Sequence, residues 1–361
     1  RTMFNLMKKE LREVKKQFGN PRLSELQVQA ETIEIDTASL IVEEETFVSV
    51  TKAGYIKRTS PRSFNASTLE EMGKRDDDQL IFLQNAKTTQ HLLLFTNLGN
   101  VIYRPVHELT DIRWKDIGEH LSQTLMNFDT NEEVIFAELV ENFDEGTYFA
   151  VTKFGQIKRV ERKEFAPWRT YKSKSTKYAK LKDDEDVVIT VSPVVLDDIM
   201  LITEKGYALR FNIEEVPVIG AKAAGVKAVN LKDVDVVVAA FISNTSSVYL
   251  LTHRGSLMRM SPEEIPVTGR AKCGLQVLRE LKAKPHRVFL AGPVLTVQGD
   301  FDLFTSQVEE QTNGQVLHVL SNTGKSYDID VTQLSFSERT SNGSFISDTI
   351  SNEEVFHAWM D

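Results

Sequence analysis

Phe149-Ala-Val-Thr152-Lys-Phe-Gly155, followed by Gln156-Ile157-Lys158-Arg159, is the stretch that decides the fold. Five further segments align with it without a gap. They are Val48-Ser-Val-Thr51-Lys-Ala-Gly54, Leu93-Leu-Phe-Thr96-Asn-Leu-Gly99, Met200-Leu-Ile-Thr203-Glu-Lys-Gly206, Tyr249-Leu-Leu-Thr252-His-Arg-Gly255 and His318-Val-Leu-Ser321-Asn-Thr-Gly324. A hydroxyl residue stands three positions before the glycine each time. Ten positions after it comes an apolar residue: Phe64, Leu109, Phe165, Val216, Ile265 or Leu334. Four positions after it lies Arg58, Arg159, Arg210 or Arg259. The second copy has Tyr103 there, with Arg104 next, and the sixth has Asp328.

The unit has a simple geometry. An apolar strand runs into a tight turn, where glycine takes the positive φ that other residues resist. The Thr or Ser hydroxyl can hydrogen-bond turn amides. A return strand follows, alternating as in Ile56/Arg58 and Ile157/Arg159. A further apolar run precedes most units: Leu80–Leu83, Val134–Ala137, Val187–Thr190, Val236–Val238 and Val288–Leu290. Each unit therefore holds about four strands, enough for one blade of a propeller. The glycines are spaced by 45, 56, 51, 49 and 69 residues, which fits blades with loop insertions. Single blades would expose their edge strands, so the six should close into a ring or near-ring. The expectation is one all-β, six-bladed repeat domain over residues 31–361.

Residues 1–30 read as a short α-helix and a linker. Phe4, Met7, Leu11, Val14 and Phe18 recur at three- and four-residue steps, which places them on one helical face. Gly19-Asn20-Pro21 stops the helix. The stripe either packs on the chain's own domain or ends a coiled coil of a longer protein. Arg1-Thr2-Met3-Phe4 has no signal-peptide core and reads as a cut inside such a protein.

Hydrophobic content of 41% and charged content of 26% suit a folded globular chain. No apolar run is long enough for a membrane-spanning helix. A single cysteine, Cys273, excludes an intrachain disulfide. The net charge of -9 is unevenly spread. Acidic clusters such as Glu43–Glu45 and Asp183–Asp186 alternate with basic stretches, so a basic stripe is compatible with a globally acidic chain.

The recurring "V-T-x-x-G-x-I-K-R" unit resembles the repeats of the C-terminal domains of the gyrase A/topoisomerase IV A family. Leu11-Arg-Glu-Val-Lys-Lys-Gln-Phe18-Gly-Asn-Pro21-Arg22 is similar to the segment that leads from that family's coiled coil into the domain. The resemblance implies a β-pinwheel, a propeller-like ring whose blades exchange strands. It implies binding and bending of double-stranded DNA on a basic outer rim, steering ATP-dependent strand passage by a full enzyme. Ala66–Asp76 stands where gyrase carries its Gln-Arg-Arg-Gly-Gly-Lys-Gly box, and the box is absent. Weaker traces follow at Gly220–Val226 and Gly269–Leu275. This sides with the topoisomerase IV branch and does not imply strong chiral wrapping.

By the same resemblance the catalytic tyrosine lies upstream, so no catalytic residue is carried over. ATP and Mg2+ would act through other regions of the full enzyme. The implied partners are double-stranded DNA, the topoisomerase IV B subunit, which carries the ATPase, and a second copy of the A protein. The domain itself is expected to be monomeric. The implied location is the bacterial cytoplasm, at the nucleoid, with peripheral membrane association allowed.

The candidate DNA contacts are the basic stretches. The clearest is Trp168–Lys182, with Arg169, Lys172, Lys174, Lys177, Lys180 and Lys182 and no acid. Lysine and arginine neutralise phosphates, while Tyr, Ser and Thr donate to phosphate oxygens. The bland alternative is a solvated loop. A second group is Arg270, Lys272, Arg279, Lys282, Lys284 and Arg287, and a third is Lys222, Lys227 and Lys232. The repeat arginines Arg58, Arg159, Arg210 and Arg259, with Lys57 and Lys158, would form a spaced ring if their strands face outward. Their alternative is structural pairing with Glu164, Glu215 or Glu264.

The seven histidines show no metal-site spacing, so no metal or cofactor is expected in this chain. Asp76–Asp78 reads as a solvated acidic turn. Two other classes remain: a protein-interaction propeller with incidental basic loops, and a propeller enzyme with convergent carboxylates.

Overall fold

The computed structural model describes residues 2–20, 41–125, 128, 129, 131–167, 174–243, 245–282, 285–295, 315–348, 350 and 353–360. The chain divides into two units, 1–40 and 41–361. Most of the expected linker, together with Arg169, Lys172 and Lys284, lies outside the described residues.

In the first unit, Thr2–Phe18 is an α-helix, as the apolar periodicity predicts. The Gly19 amide closes its last turn on the Lys15 carbonyl at 2.9 Å. Met3, Phe4, Met7, Leu11, Val14 and Phe18 are all exposed.

The second unit is built of six antiparallel sheets, one per repeat. The turn chemistry recurs in every copy. All six repeat glycines have positive φ, between 70 and 90°. In each turn the Thr or Ser Oγ accepts the amide one residue beyond the glycine, at 3.1–3.2 Å.

The fourth strand of a blade does not come from its own repeat. Each repeat supplies a hairpin and the apolar strand that follows, and the outer strand is lent by the next repeat. Glu119–His120 pairs with Tyr55–Ile56 of the first blade, and Lys174–Lys177 pairs with Asn100–Tyr103 of the second. Val226–Lys227, Leu275–Gln276 and Ser344–Phe345 serve the third, fourth and fifth blades in the same way. Among the described residues the sixth sheet has three strands. Periodicity within a repeat cannot reveal this exchange, because the lent strands are short and pair far away in sequence.

A second glycine makes the exchange sterically feasible. Gly118, Gly225, Gly274 and Gly343 immediately precede lent strands. An added Cβ at these positions would lie 2.5–2.7 Å from a backbone oxygen of the receiving strand. No side chain fits at that distance.

Five apolar clusters seal successive blade pairs from the first to the sixth. Each cluster combines strands of both blades with residues just beyond the lent strand, such as Leu121, Tyr178, Val229, Val277 and Ile350. Burying such side chains contributes about 1.5–3 kcal/mol each, so these clusters are the main cohesive term between blades.

Candidate nucleic-acid interface

The recurring lysines of the repeat turn inward. Lys57 and Lys158 are 1% and 2% exposed. The Lys57 ammonium donates to the carbonyls of Trp114 and Asp116 at 2.6 and 2.7 Å. Lys158 donates to Tyr178, Gly220, Ala221 and Ala223 at 2.9–3.1 Å. Burial pushes both amines down to about 8. These two lysines cannot reach a phosphate, which corrects the expectation that they join a DNA-binding ring. Their donors are spent on the loop that carries the lent strand.

The repeat arginines are also engaged across blade boundaries. Arg159 Nε donates to the Val216 carbonyl at 2.6 Å. Arg210 pairs with Asp198 at 3.0 Å and also donates to the Pro262 carbonyl at 3.3 Å. Arg259 donates to Ser247 Oγ at 2.7 Å and to the Thr332 carbonyl at 2.6 Å, and its guanidinium lies over Phe336. Arg58 is half-buried, with its backbone bridged to Asp111. Such anchored guanidiniums would have to break native bonds to meet DNA.

Arg159, Arg210 and Arg259 are thus structural, but with different partners from the expected glutamates. Glu164, Glu215 and Glu264 accept backbone amides of the next repeat, from Ala221, Arg270 and Arg339, at 3.0, 2.8 and 2.6 Å. Ser63 Oγ does the same for the Trp114 amide at 3.1 Å. In the acidic turn Asp76 and Asp77 are exposed, as expected, but Asp78 is structural. Asp78 is buried and accepts the Ala53 and Gln79 amides, and Asp186 and Asp235 repeat that arrangement.

The other candidates lie on the outer edges of the sheets. Lys174 and Lys177 belong to the lent strand of the second blade, Lys227 to that of the third, and Lys272 precedes that of the fourth. Lys177, Lys180, Lys182, Lys222, Lys227 and Lys272 are exposed. Their local ties are light: Lys177 Nζ to the Leu98 carbonyl, Lys182 to Gln156 and Lys227 to Asn230. Arg270 is half-buried and is held by the Lys227 carbonyl. Lys232, Arg279, Lys282 and Arg287 are exposed nearby, with Lys232 over Tyr207 and Arg287 paired with Glu204. The lent strands of the first and fifth blades, Glu119–His120 and Ser344–Phe345, carry no lysine or arginine. The lightly tied basic side chains therefore follow the outer edges of blades two to four. Among the described residues no three His, Cys, Asp or Glu side chains are placed to hold a metal ion.

This repeat architecture coincides with a known family. Residues 45–69, 90–141, 147–194, 197–244 and 246–290 match the family described as DNA gyrase C-terminal domain, beta-propeller. The chain belongs to that family. Members of the DNA gyrase C-terminal domain family similar to it include the A subunit of DNA topoisomerase 4 from Streptococcus pneumoniae, 70% identical over all of this chain and 44% of the relative. The same-named protein of Streptococcus pyogenes is 66% identical over 99% of this chain and 44% of that protein. A solved C-terminal domain of DNA topoisomerase IV superposes with a TM-score of 0.77 at 35% identity, covering 89% of this chain and 94% of that one. The chain spans less than half the length of the curated relatives it matches.

What the repeat pattern alone missed was the second glycine. Gly73, Gly118, Gly225, Gly274 and Gly343 each stand 19 positions after a repeat glycine, and that spacing is legible in the chain.

Proposed function

We propose that the chain binds and bends double-stranded DNA along the outer edges of blades two to four. The observation that carries this reading is the exposed lysine series Lys177, Lys180, Lys222, Lys227 and Lys272 on or beside lent strands. The anchored set (Lys57, Lys158, Arg159, Arg210 and Arg259) supports it from the other side by holding the crossover loops in place. Ammonium groups on flexible stems suit phosphates approached in no fixed register. Binding of this kind is backbone-directed, nearly independent of base sequence and sensitive to salt. Bending 20–30 base pairs by 40–90° costs about 1–6 kcal/mol, which the phosphate contacts must offset.

Within a full-length protein like the topoisomerase relatives, the domain would steer which duplex enters ATP-dependent strand passage. It would act there beside a second copy of the A protein and the topoisomerase IV B subunit, in the bacterial cytoplasm, with ATP and Mg2+ held elsewhere. No catalytic role falls to this chain.

The test is a salt titration of binding to short and long duplexes by the wild type and a variant in which Lys177, Lys180, Lys222, Lys227 and Lys272 become Glu. Tighter binding to longer DNA, a steep salt dependence and loss of most affinity in the variant support the reading. Unchanged binding by the variant would move the interface elsewhere. No binding by the wild type at low salt would leave a protein-interaction propeller.

A further inference from the structure

Five blades receive a lent strand, and among the described residues the sixth does not. The receiving geometry is the same in all five. A residue just beyond the lent strand donates its amide to the repeat-glycine carbonyl: Leu121 to Gly54, Tyr178 to Gly99, Ala228 to Gly155, Val277 to Gly206 and Ile346 to Gly255, at 2.8–3.0 Å. Apolar side chains at or after that point then fill the space over the glycine. An added Cβ on Gly54, Gly155, Gly206 or Gly255 would meet Phe128, Val229, Leu278 or Ile350 within 3.1 Å. On Gly324 it would meet nothing within 4 Å. The edge at Gly324–Ser326 is therefore a receiving edge that no described residue covers.

The first repeat holds the counterpart segment in sequence but not in place. Gly73 stands at the second-glycine spacing, followed by Lys74 and Arg75. Where the other repeats then supply an apolar plug, this one has Asp76 and Asp77, 22 and 23 positions after Gly54. A carboxylate cannot replace Leu121 or Val277 in an apolar seam without a large desolvation cost. The Gly73 amide is instead bound to the Trp114 carbonyl at 2.9 Å.

A cavity of about 850 Å³ remains between the first and sixth blades. Phe82, Leu320, Phe356 and Trp359 form its apolar wall, and Asp76, Asp77 and Asp78 its acidic side. Phe356 is 70% exposed, and Asp78 Oδ2 is buried with no hydrogen-bond donor among the described residues. Leu320, in the cavity wall, pairs directly with Ser326 of the uncovered edge, which brings the two within one strand of each other.

We infer that this seam is a docking site for an extended segment of another protein, which adds as an outer strand to the sixth blade. The five internal examples define its chemistry. It carries a glycine, then two extended residues, then one or two apolar side chains that enter the cavity. A lysine or arginine close behind meets Asp76–Asp78, by charge complementarity with the acidic wall. Main-chain bonds give affinity and the cavity gives selectivity, as in other strand-addition sites.

The test uses the whole chain with Cys273→Ser and a labelled peptide copying Lys272–Glu280, its cysteine likewise replaced by serine. That segment already serves the fourth blade and contains Gly274, Val277, Leu278 and Arg279. The expected result is saturable one-to-one binding. It should weaken about tenfold or more when the peptide glycine becomes valine, and several-fold in the exposed variants Asp76→Lys/Asp77→Lys and Phe356→Ala, an energy of about 1 kcal/mol or more. Absence of saturable binding, or binding indifferent to all these changes, overturns the inference. So does a disulfide that forms within one molecule between Lys74→Cys and Ser326→Cys, because the chain's own segment would then fill the edge. A concentration-dependent dimer dissociated by the peptide would assign the edge to a second copy and overturn it as well.

Discussion

The Lys158 ammonium lies 2.9 Å from the carbonyl oxygen of Tyr178, just beyond the strand that the third repeat lends to the second blade. One side chain thus ties the third blade's hairpin to two successive crossover loops, through Tyr178 and through Gly220–Ala223. A residue that reads as a surface charge in the sequence is a fastener between blades. The separation of fastening cations from free ones leads to the tests below.

Lys158→Met should lower stability by about 1–3 kcal/mol, the cost of leaving buried carbonyls without donors. DNA affinity per folded molecule should stay unchanged. Lys227→Glu should do the reverse, with little effect on the unfolding midpoint and weaker DNA binding at low salt. Chemical denaturation paired with a DNA titration separates the two. Equal loss of DNA affinity in both would contradict the assignment of Lys158.

Burial holds Lys57 and Lys158 at about 8, against an ordinary 10.5. Below about pH 8 both folded and unfolded chains keep these protons. Between 8 and 10.5 the unfolded chain binds more of them, so the pair makes stability rise with pH over that window. Relative to wild type, the Lys57→Met/Lys158→Met chain should lack this rise. A wild-type contribution that falls across the window would mean that the carbonyl cage outweighs burial.

Gly274→Ala should be far more damaging than Gly324→Ala. Both glycines have positive φ, which costs an L-residue about 1–2 kcal/mol. At Gly274 the new Cβ would also lie 2.5 Å from the Ala208 carbonyl oxygen, whereas at Gly324 it meets open space. The shift in denaturation midpoint should be at least twice as large for Gly274→Ala. Similar shifts would show that the close approach is absorbed by backbone movement.

Glu264→Ala should loosen the joint between the fifth and sixth blades. Its carboxylate accepts the Arg339 amide at 2.6 Å, the last of four such side-chain acceptors between successive repeats. The expected cost is about 1–3 kcal/mol. Faster hydrogen exchange at the Arg339 amide, with the first blade unaffected, is the local signature. Exchange rates that do not change would exclude the role.

The chain's own letters determine the blade. Thr152 three positions before Gly155, with apolar runs on both sides, specifies a strand, a turn that needs positive φ and a return strand, because each of those is a local requirement. Repetition of that unit determines six blades, and the Phe4–Phe18 stripe determines the helix that precedes them. Which basic residues face outward was not local. Lys158 and Lys177 are alike in charge, and only the path of the lent strand buries the first and exposes the second. The pairing of Lys174 with Tyr103 spans 71 positions and is decided by tertiary packing. The edge at Gly324, which no described residue covers, has the same origin. Its turn is built like the others, but the segment that would cover it ends in aspartates, and an apolar seam does not close over charge.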